Sequence, residues 1–359
     1  MRARKIRPGI AAAAALAVAG MVLAGCAEDE DNGGAGATSA EGTSPGEGKP
    51  ECEQLVQFGD LSDETVSLYT SIVAPEDQPH IDSYKLFEEC TGATVEYEGS
   101  KEFEAQLVVR ARSGNPPDLA YIPQPGLLQT LVRDTDAVVE APDTVSDNVD
   151  EFFGEDWKAY GTVDDTFYAA PLGANVKSLV WYSPSMFADN GWEIPETWDD
   201  MIALSDKIAD DGKMKPWCAG IESGEATGWP ATDWLEDVLL RTGGPDVYDQ
   251  WMNHEIPFDD PAVVEGLDTV GDILKNEDYV NGGFGDVKSI ATTAFQDGGL
   301  PIVDGKCAMH RQANFYAANW PEGTKVAEDG DVFAFYLPPI GDEFGNPVLG
   351  GGEFGAAFN

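Results

Sequence analysis

Between residues 66 and 122 the chain alternates short β-prone runs with amphipathic helical stretches, and this rhythm constrains the fold more than any other feature. Val66-Ser67-Leu68-Tyr69-Thr70 alternates as a strand does. After a break over 75–79, Ile81, Tyr84, Leu86 and Phe87 supply the apolar positions of a helix over 81–90, stopped by Thr91-Gly92. Residues 94–97 read as a second strand. Phe103, Leu107, Val108 and Ala111 then share one face of a helix over 101–113, which Gly114-Asn115-Pro116-Pro117 terminates. A third strand, short and apolar, covers 118–122. Strand, helix, strand, helix, strand predicts an α/β fold with a largely parallel sheet.

A second unit of the same kind follows an extended segment at 167–173. Ser178-Leu179-Val180-Trp181-Tyr182 reads as its opening strand, and a turn of helix covers 184–190. Thr197, with Asp200 three residues on, has the spacing of a helix N-cap, and that helix runs through Met201, Ile202, Leu204, Ser205 and Ile208. Further helices are predicted at 233–241, 248–253 and 261–275, with Pro261 at a helix start, where its missing N–H costs nothing. Strands are predicted at 306–310 and 332–337. The body from about Cys52 onward is larger than one average compact core, so two domains are expected.

The N-terminus sets the compartment. Arg2, Arg4, Lys5 and Arg7 precede a run of Ala, Val, Leu, Met and Gly from Ile10 to Leu23. That run is too short for a bilayer core, which takes roughly 20 apolar residues, and it has the layout of a signal peptide over 1–25. Residues 27–50 are mostly Glu, Asp, Gly, Ser, Thr and Ala, too polar to bury a core, so a flexible linker is expected through residue 58. As a coil it would reach roughly 25–30 Å.

The chain has 21 Lys and Arg against 65 Asp and Glu. Without residues 1–25, which hold four bases and no acid, the net charge is near −48. Such a field repels nucleic acid and anionic lipid. It favours solubility outside the cell, and a neutral or cationic ligand. Apart from Cys26, the cysteines are Cys52, Cys90, Cys218 and Cys307, an even number that predicts two disulfides in an oxidising compartment, with three pairings open. No Cys-x-x-Cys suggests a zinc or redox site.

Several ordered motifs carry a family resemblance. Leu23-Ala24-Gly25-Cys26 resembles the lipobox of bacterial lipoproteins, which implies cleavage before Cys26 and a lipid on its thiol. One acyl chain binds a membrane only marginally, so stable anchoring takes the further chains that lipoproteins carry. Ser113-Gly114-Asn115-Pro116-Pro117-Asp118-Leu119, the segment from Pro171 through Lys177 to Tyr182, and Pro195-Glu196-Thr197-Trp198-Asp199-Asp200 stand in the order found in extracellular solute-binding proteins of bacterial ABC importers. So do Phe258-Asp259-Asp260-Pro261, Gly305-Lys306-Cys307-Ala308-Met309 and Gly350-Gly351-Gly352-Glu353-Phe354. The chain resembles the carbohydrate-binding branch of that family, and within it the alpha-glucoside-binding proteins.

The resemblance implies two α/β lobes with mixed, mostly parallel sheets joined by a hinge: residues 59–171 with 332–359 in the first lobe, 172–331 in the second. Family members continue beyond the equivalent of residue 359, so a C-terminal continuation is expected. Each disulfide would lie within one lobe, as Cys52–Cys90 and Cys218–Cys307. The implied partners are a sugar, the permease subunits in the membrane and the lipid anchor, with a monomeric receptor, no cofactor, no metal and no catalysis.

Sugar binding needs aromatic faces against C–H surfaces, and carboxylates, amides or cations on the hydroxyls. In such folds the site lies in the crevice outside the strand ends. The residues placed there are Thr70 and Ser71 after the first strand, Glu104 opening the second helix, and Gln124 after the third strand. Asn175 and Lys177 lie in the crossover, Trp229 and Asp233 in a Gly/Pro-rich loop leading into a helix, and Arg311 and Asn314 after the strand containing Cys307. Gly351, Gly352 and Glu353 form the late turn. Trp181 and Trp198 read as packing residues. Two other readings stand beside a sugar receptor: the same fold binding a cation such as a polyamine, and a secreted glycoside hydrolase using two carboxylates. Against the latter, no Gly-x-Ser-x-Gly, His-Glu-x-x-His or P-loop occurs, and His80, His254 and His310 share no motif.

Overall fold

The structure, a computed structural model, describes residues 44–359; the signal peptide expected over 1–25 and the lipid site expected at Cys26 lie outside the described residues. Two sheets, each with its own apolar core, organise the described chain.

The first sheet grows from the alternation seen in the sequence. Strands β1 (Thr65–Thr70), β2 (Thr94–Gly99) and β3 (Leu119–Ile122) run parallel in the order β2-β1-β3. Helices α1 (Asp77–Thr91) and α2 (Phe103–Arg112) make the crossovers. Helix α1 begins four residues earlier than the apolar pattern suggests. Pro79 lies within its first turn, where a missing N–H is not felt, so the break expected over 75–79 is shorter. Beyond β3 come α3 (Pro125–Asp134), β4 (Val138–Val139), α4 (Asp143–Phe152) and α5 (Glu155–Tyr160). A hairpin of β5 (Thr162–Val163) and β6 (Thr166–Phe167) leads to β7 (Ala169–Pro171) and β8 (Asn175–Val176). The core under this sheet includes Phe103, Leu107, Ile122, Leu128 and Leu131.

The second sheet has the order β11-β10-β12-β9-β13. Its elements are β9 (Leu179–Tyr182), α6 (Pro184–Asn190), α7 (Trp198–Asp211), β10 (Lys215–Cys218) and α8 (Trp229–Thr242). They continue with α9 (Gly244–Met252), α10 (Pro261–Leu274), β11 (Val280–Asn281), β12 (Cys307–Arg311) and β13 (Phe333–Tyr336). Strand β10 is parallel to β11 and β12, and β9 is antiparallel to β12 and β13. The Thr197 hydroxyl caps α7, accepting from Asp200 N at 3.1 Å. Trp217 and Trp234 pack edge to face, 5.3 Å apart, at the centre of this core. Trp181 and Trp198 are also buried.

The chain then returns. Strand β14 (Gly350–Gly351) pairs with β8, and β15 (Phe354–Phe358) inserts antiparallel between β3 and β4, with β7 pairing on it as well. The two-stranded β8·β14 ribbon therefore lies where the chain passes between the lobes. Two disulfides are present. Cys218–Cys307 ties β10 to β12 with Cα atoms 5.6 Å apart, and Cys52–Cys90 ties the segment before β1 to the end of α1 at 5.4 Å. That second bridge alters the linker boundary. Residues 44–58 hold two short 3-10 turns, and the Ser44 hydroxyl donates to the Cys90 carbonyl at 2.5 Å. Composition places this segment in the linker, but a cross-link and a buried hydrogen bond hold it against α1.

Candidate functional site

The C-terminal edges of β1, β2 and β3 in one lobe and of β10 and β12 in the other carry the polar residues that meet between the lobes. Contacts across them are direct. Asn319 Nδ2, from the 3-10 turn Asn314–Asn319 of the second lobe, donates to Glu76 Oε1, at the start of α1 in the first, at 3.0 Å. Lys101, between β2 and α2, sits 3.7 Å from Glu222 of the second lobe.

One helix supplies the electrostatic frame. Asp233, Asp237 and Arg241 recur every four residues on α8 and all point inward, each essentially inaccessible. Arg241 Nη1 donates to Asp237 Oδ1 at 2.8 Å, and Arg311, at the end of β12, binds Asp237 Oδ2. Arg311 Nη1 lies 3.5 Å from Asp233 Oδ2, and Lys177 Nζ donates to Asp233 Oδ1 at 2.9 Å. Arg241, Asp237, Arg311, Asp233 and Lys177 thus form a ladder of alternating sign that runs from the core to the hinge. Every buried charge in it has a partner of opposite sign, without which several kcal/mol per ion would be lost. The same ladder fixes the connections. Arg241 donates to the carbonyls of Leu337 and Pro338 at 2.9 and 3.0 Å, and Ser178 Oγ joins Asp237 to the Leu349 amide.

Among the described residues, several carboxylates of the two lobes have no salt-bridge cation of their own. Burial pushes the Glu236 carboxyl up to about 7, with Asp233 adding to the rise; the Tyr248 hydroxyl donates to it at 3.2 Å. Burial also pushes Glu76 up to about 7, against the bond from Asn319 and with further repulsion from Glu353 and Asp77. Glu353 is raised by burial too, with Lys177 pulling the other way. Glu104 is raised by burial and receives Gln124 Nε2 at 3.3 Å. Aromatic faces lie in both lobes. Trp229 lies 4.9 Å from Phe295 and 6.0 Å from Phe315. On the first lobe Trp157 and Tyr160 pack on Phe354 at 6.0 and 6.1 Å. Carboxylates, amides and half-buried rings together can accept hydroxyl protons and cover C–H surfaces, the two demands of a polyhydroxylated ligand.

The residues singled out from sequence take different places. Thr70 is fully buried, and its hydroxyl accepts from Ile72 N at 3.2 Å while Ser71 continues the turn. Asn175 lies in the ribbon opposite Gly351, and Asn314 Oδ1 accepts from Val176 N at 2.7 Å, holding the ribbon to the second lobe. Trp229 is the first residue of α8 rather than part of the preceding loop. Arg311 is spent on Asp233 and Asp237 behind the surface. A Cβ on Gly351 would lie 2.5 Å from Lys177 Cε, the movable end of a side chain, whereas one on Gly352 would lie 1.9 Å from the Gly173 carbonyl oxygen, so close packing demands glycine at 352. Sequence reasoning did not single out Glu76, Glu236, Asn319, Trp157, Tyr160 or Phe315. Only Glu236 left a trace, sitting one turn on from Asp233.

Comparison with known proteins agrees with this architecture. Residues 64–354 match the family described as bacterial extracellular solute-binding protein. The osmoprotective compounds-binding protein GgtB of Synechocystis sp. is 41% identical over 303 residues, covering 84% of this chain and 70% of that protein. The alpha-glucosides-binding periplasmic protein AglE of Rhizobium meliloti is 40% identical over 310 residues, covering 84% of this chain and 66% of that protein. Among solved structures, a chitin oligosaccharide binding protein superposes with a TM-score of 0.69 at 20% identity, covering 82% of this chain and 73% of the other. The GacH receptor of Streptomyces glaucescens gives 0.65 at 16% identity, covering 82% and 71%. These likenesses establish the two-lobed binding-protein fold. The chain belongs to the bacterial extracellular solute-binding proteins.

Proposed function

We propose that this protein is the extracytoplasmic receptor of an ABC importer and captures a carbohydrate, an alpha-glucoside or oligosaccharide, between its two lobes for delivery to the membrane permease. One observation carries the reading. Carboxylates and amides from both lobes meet beside half-buried aromatic faces, and the nearby lysine is held by Asp233, so what the cleft offers is mainly hydrogen-bond acceptors. Hydroxyl donors complement such a surface. The kinship with AglE supports the glucoside class. Cys26 is the proposed lipid anchor, residues 59–171 with 332–359 and residues 172–331 the proposed lobes, and the receptor is proposed to act as a monomer without catalysis. Thermal unfolding against maltose, trehalose, sucrose and spermidine tests this. A ligand at 100 times its Kd should add about 2.7 kcal/mol of stability. Stabilisation by a neutral sugar that persists on long incubation supports the receptor; stabilisation that fades as the sugar is consumed points to a hydrolase.

The unpaired acids of the cleft favour a second reading, a cationic solute such as a polyamine. Stabilisation by spermidine alone would establish it.

A further inference from the structure

We propose that Glu76 and Asn319, meeting across the two lobes, form a subsite for one uncharged hydroxyl group of the ligand and make the cleft selective for neutral over anionic sugars; this rests on the carbohydrate reading above. Neither residue lies among those that sequence motifs point to.

Three observations converge on this pair. The first is an incomplete hydrogen-bond inventory. Asn319 is 7% exposed, its Nδ2 is committed to Glu76 Oε1, and its Oδ1 is buried without a donor. A buried amide oxygen left unpaired costs about 1–3 kcal/mol, a cost that a hydroxyl donor brought by the ligand would remove. The second is charge. Glu76 shares its surroundings with Asp77 and Glu353, both acids that repel it, and its direct partner is a neutral amide. Lys177 acts on Glu353, but its ammonium is bound to Asp233. The third is position. Glu76 opens α1 just after the β1 edge, and Asn319 closes the turn that follows β12, so a group seated here touches both lobes.

What fits follows from donor and acceptor roles. A ligand hydroxyl donates its one proton to Asn319 Oδ1 and can still accept from Glu76 when that carboxyl is protonated. A phosphate or carboxylate brings only acceptors and a negative charge into a place that already holds Glu76, Asp77 and Glu353. The protonation state of Glu76 tunes the subsite, because a protonated carboxyl also donates. The groups facing Glu76 in this setting are Asp77, Glu353, Tyr97 and, from the second lobe, Asn319 and Tyr316.

The test uses isothermal titration of the protein with whichever of maltose, trehalose or sucrose binds, and with the 6-phosphate of the same sugar. The neutral sugar should bind at least about 100-fold tighter, and E76Q should shrink that ratio by about tenfold or more, 1.4 kcal/mol. N319A should weaken the neutral sugar by about tenfold while leaving the melting temperature of the unliganded protein little changed. A purely structural role would do the reverse, lowering the melting temperature and sparing the affinity. The proposal is overturned if N319A binds the neutral sugar as tightly as the parent. It is equally overturned by a wild-type neutral-to-phosphate ratio below about threefold, a measurement that requires neither variant to fold. Failure of every neutral sugar to bind, with spermidine binding instead, would remove the carbohydrate reading itself and is recognisable as that different result.

Discussion

Asp237 is the residue whose loss the structure predicts most sharply. Its carboxylate lies at zero exposure between two guanidiniums, Arg241 and Arg311, which are equally buried. Oδ1 accepts from Arg241 Nη1 at 2.8 Å and from Ser178 Oγ at 2.5 Å, and Oδ2 accepts from Arg311 Nε at 3.1 Å. Asp237→Asn keeps the shape but removes the charge, and it turns an N–H2 group toward a guanidinium. Arg241 is then left with no carboxylate partner, and Arg311 keeps only Asp233, which already binds Lys177. Breaking a buried pair in this way costs about 3–5 kcal/mol. For a protein of this size that corresponds to a fall in melting temperature of about 4–8 °C. The assay is urea and thermal unfolding of the parent, D237N, R241M and the double variant. The double variant should recover much of the loss, because removing Arg241 restores the charge balance. A D237N cost below about 1 kcal/mol, or strict additivity in the cycle, would refute the ladder as a coupled unit.

Four further outcomes are expected. Replacing both Cys218 and Cys307 by Ala opens a bridge spanning 89 residues and should cost about 4–5 kcal/mol in chain entropy, read from urea midpoints. Glu236 is raised to about 7 against an ordinary 4.5, so the folded state holds its proton longer than the unfolded state does; the stability it confers is present below pH 4.5 and is lost as pH rises through 7, by up to about 3 kcal/mol, a slope that E236Q should remove from melting temperatures measured between pH 5 and 8. His310 runs the other way: burial lowers it to about 4 from 6.5, so its contribution is present above 6.5 and lost as pH falls toward 4, a loss His310→Gln should blunt in the same titration. Gly351→Ala should displace the flexible end of Lys177 and weaken ligand binding with little loss of stability, whereas Gly352→Ala meets the rigid Gly173 carbonyl and should lower the melting temperature; equal thermal effects of the two would contradict the packing described.

The parts of the fold legible in the sequence are those decided by neighbours along the chain. Phe103, Leu107 and Ala111 line one face of α2 and are buried as that spacing requires. Thr197 and Asp200 make the cap their separation suggests. Lys177 and Asp233 were both singled out, although nothing in their 56-residue separation announces the bond between them. What sequence missed depends on contacts between distant segments. Glu76 is one of 65 acids and is marked only by burial against Asn319, 243 residues away. Composition also misplaced residues 44–58, because a polar segment can still be fixed by one disulfide and a buried hydroxyl.

The insertion of β15 between β3 and β4 bears on how such a chain folds after export. The second sheet draws only on residues 179–336, a contiguous stretch that can close as soon as it has crossed the membrane. The first sheet cannot. Its three parallel strands are made before residue 123, but one side of β3 stays unpaired until residues 354–358 arrive. An open edge of that kind invites pairing with other chains. The earlier-made lobe is thus the later to finish, and the interval between the two is the period in which a crowded export site would have to shield β3.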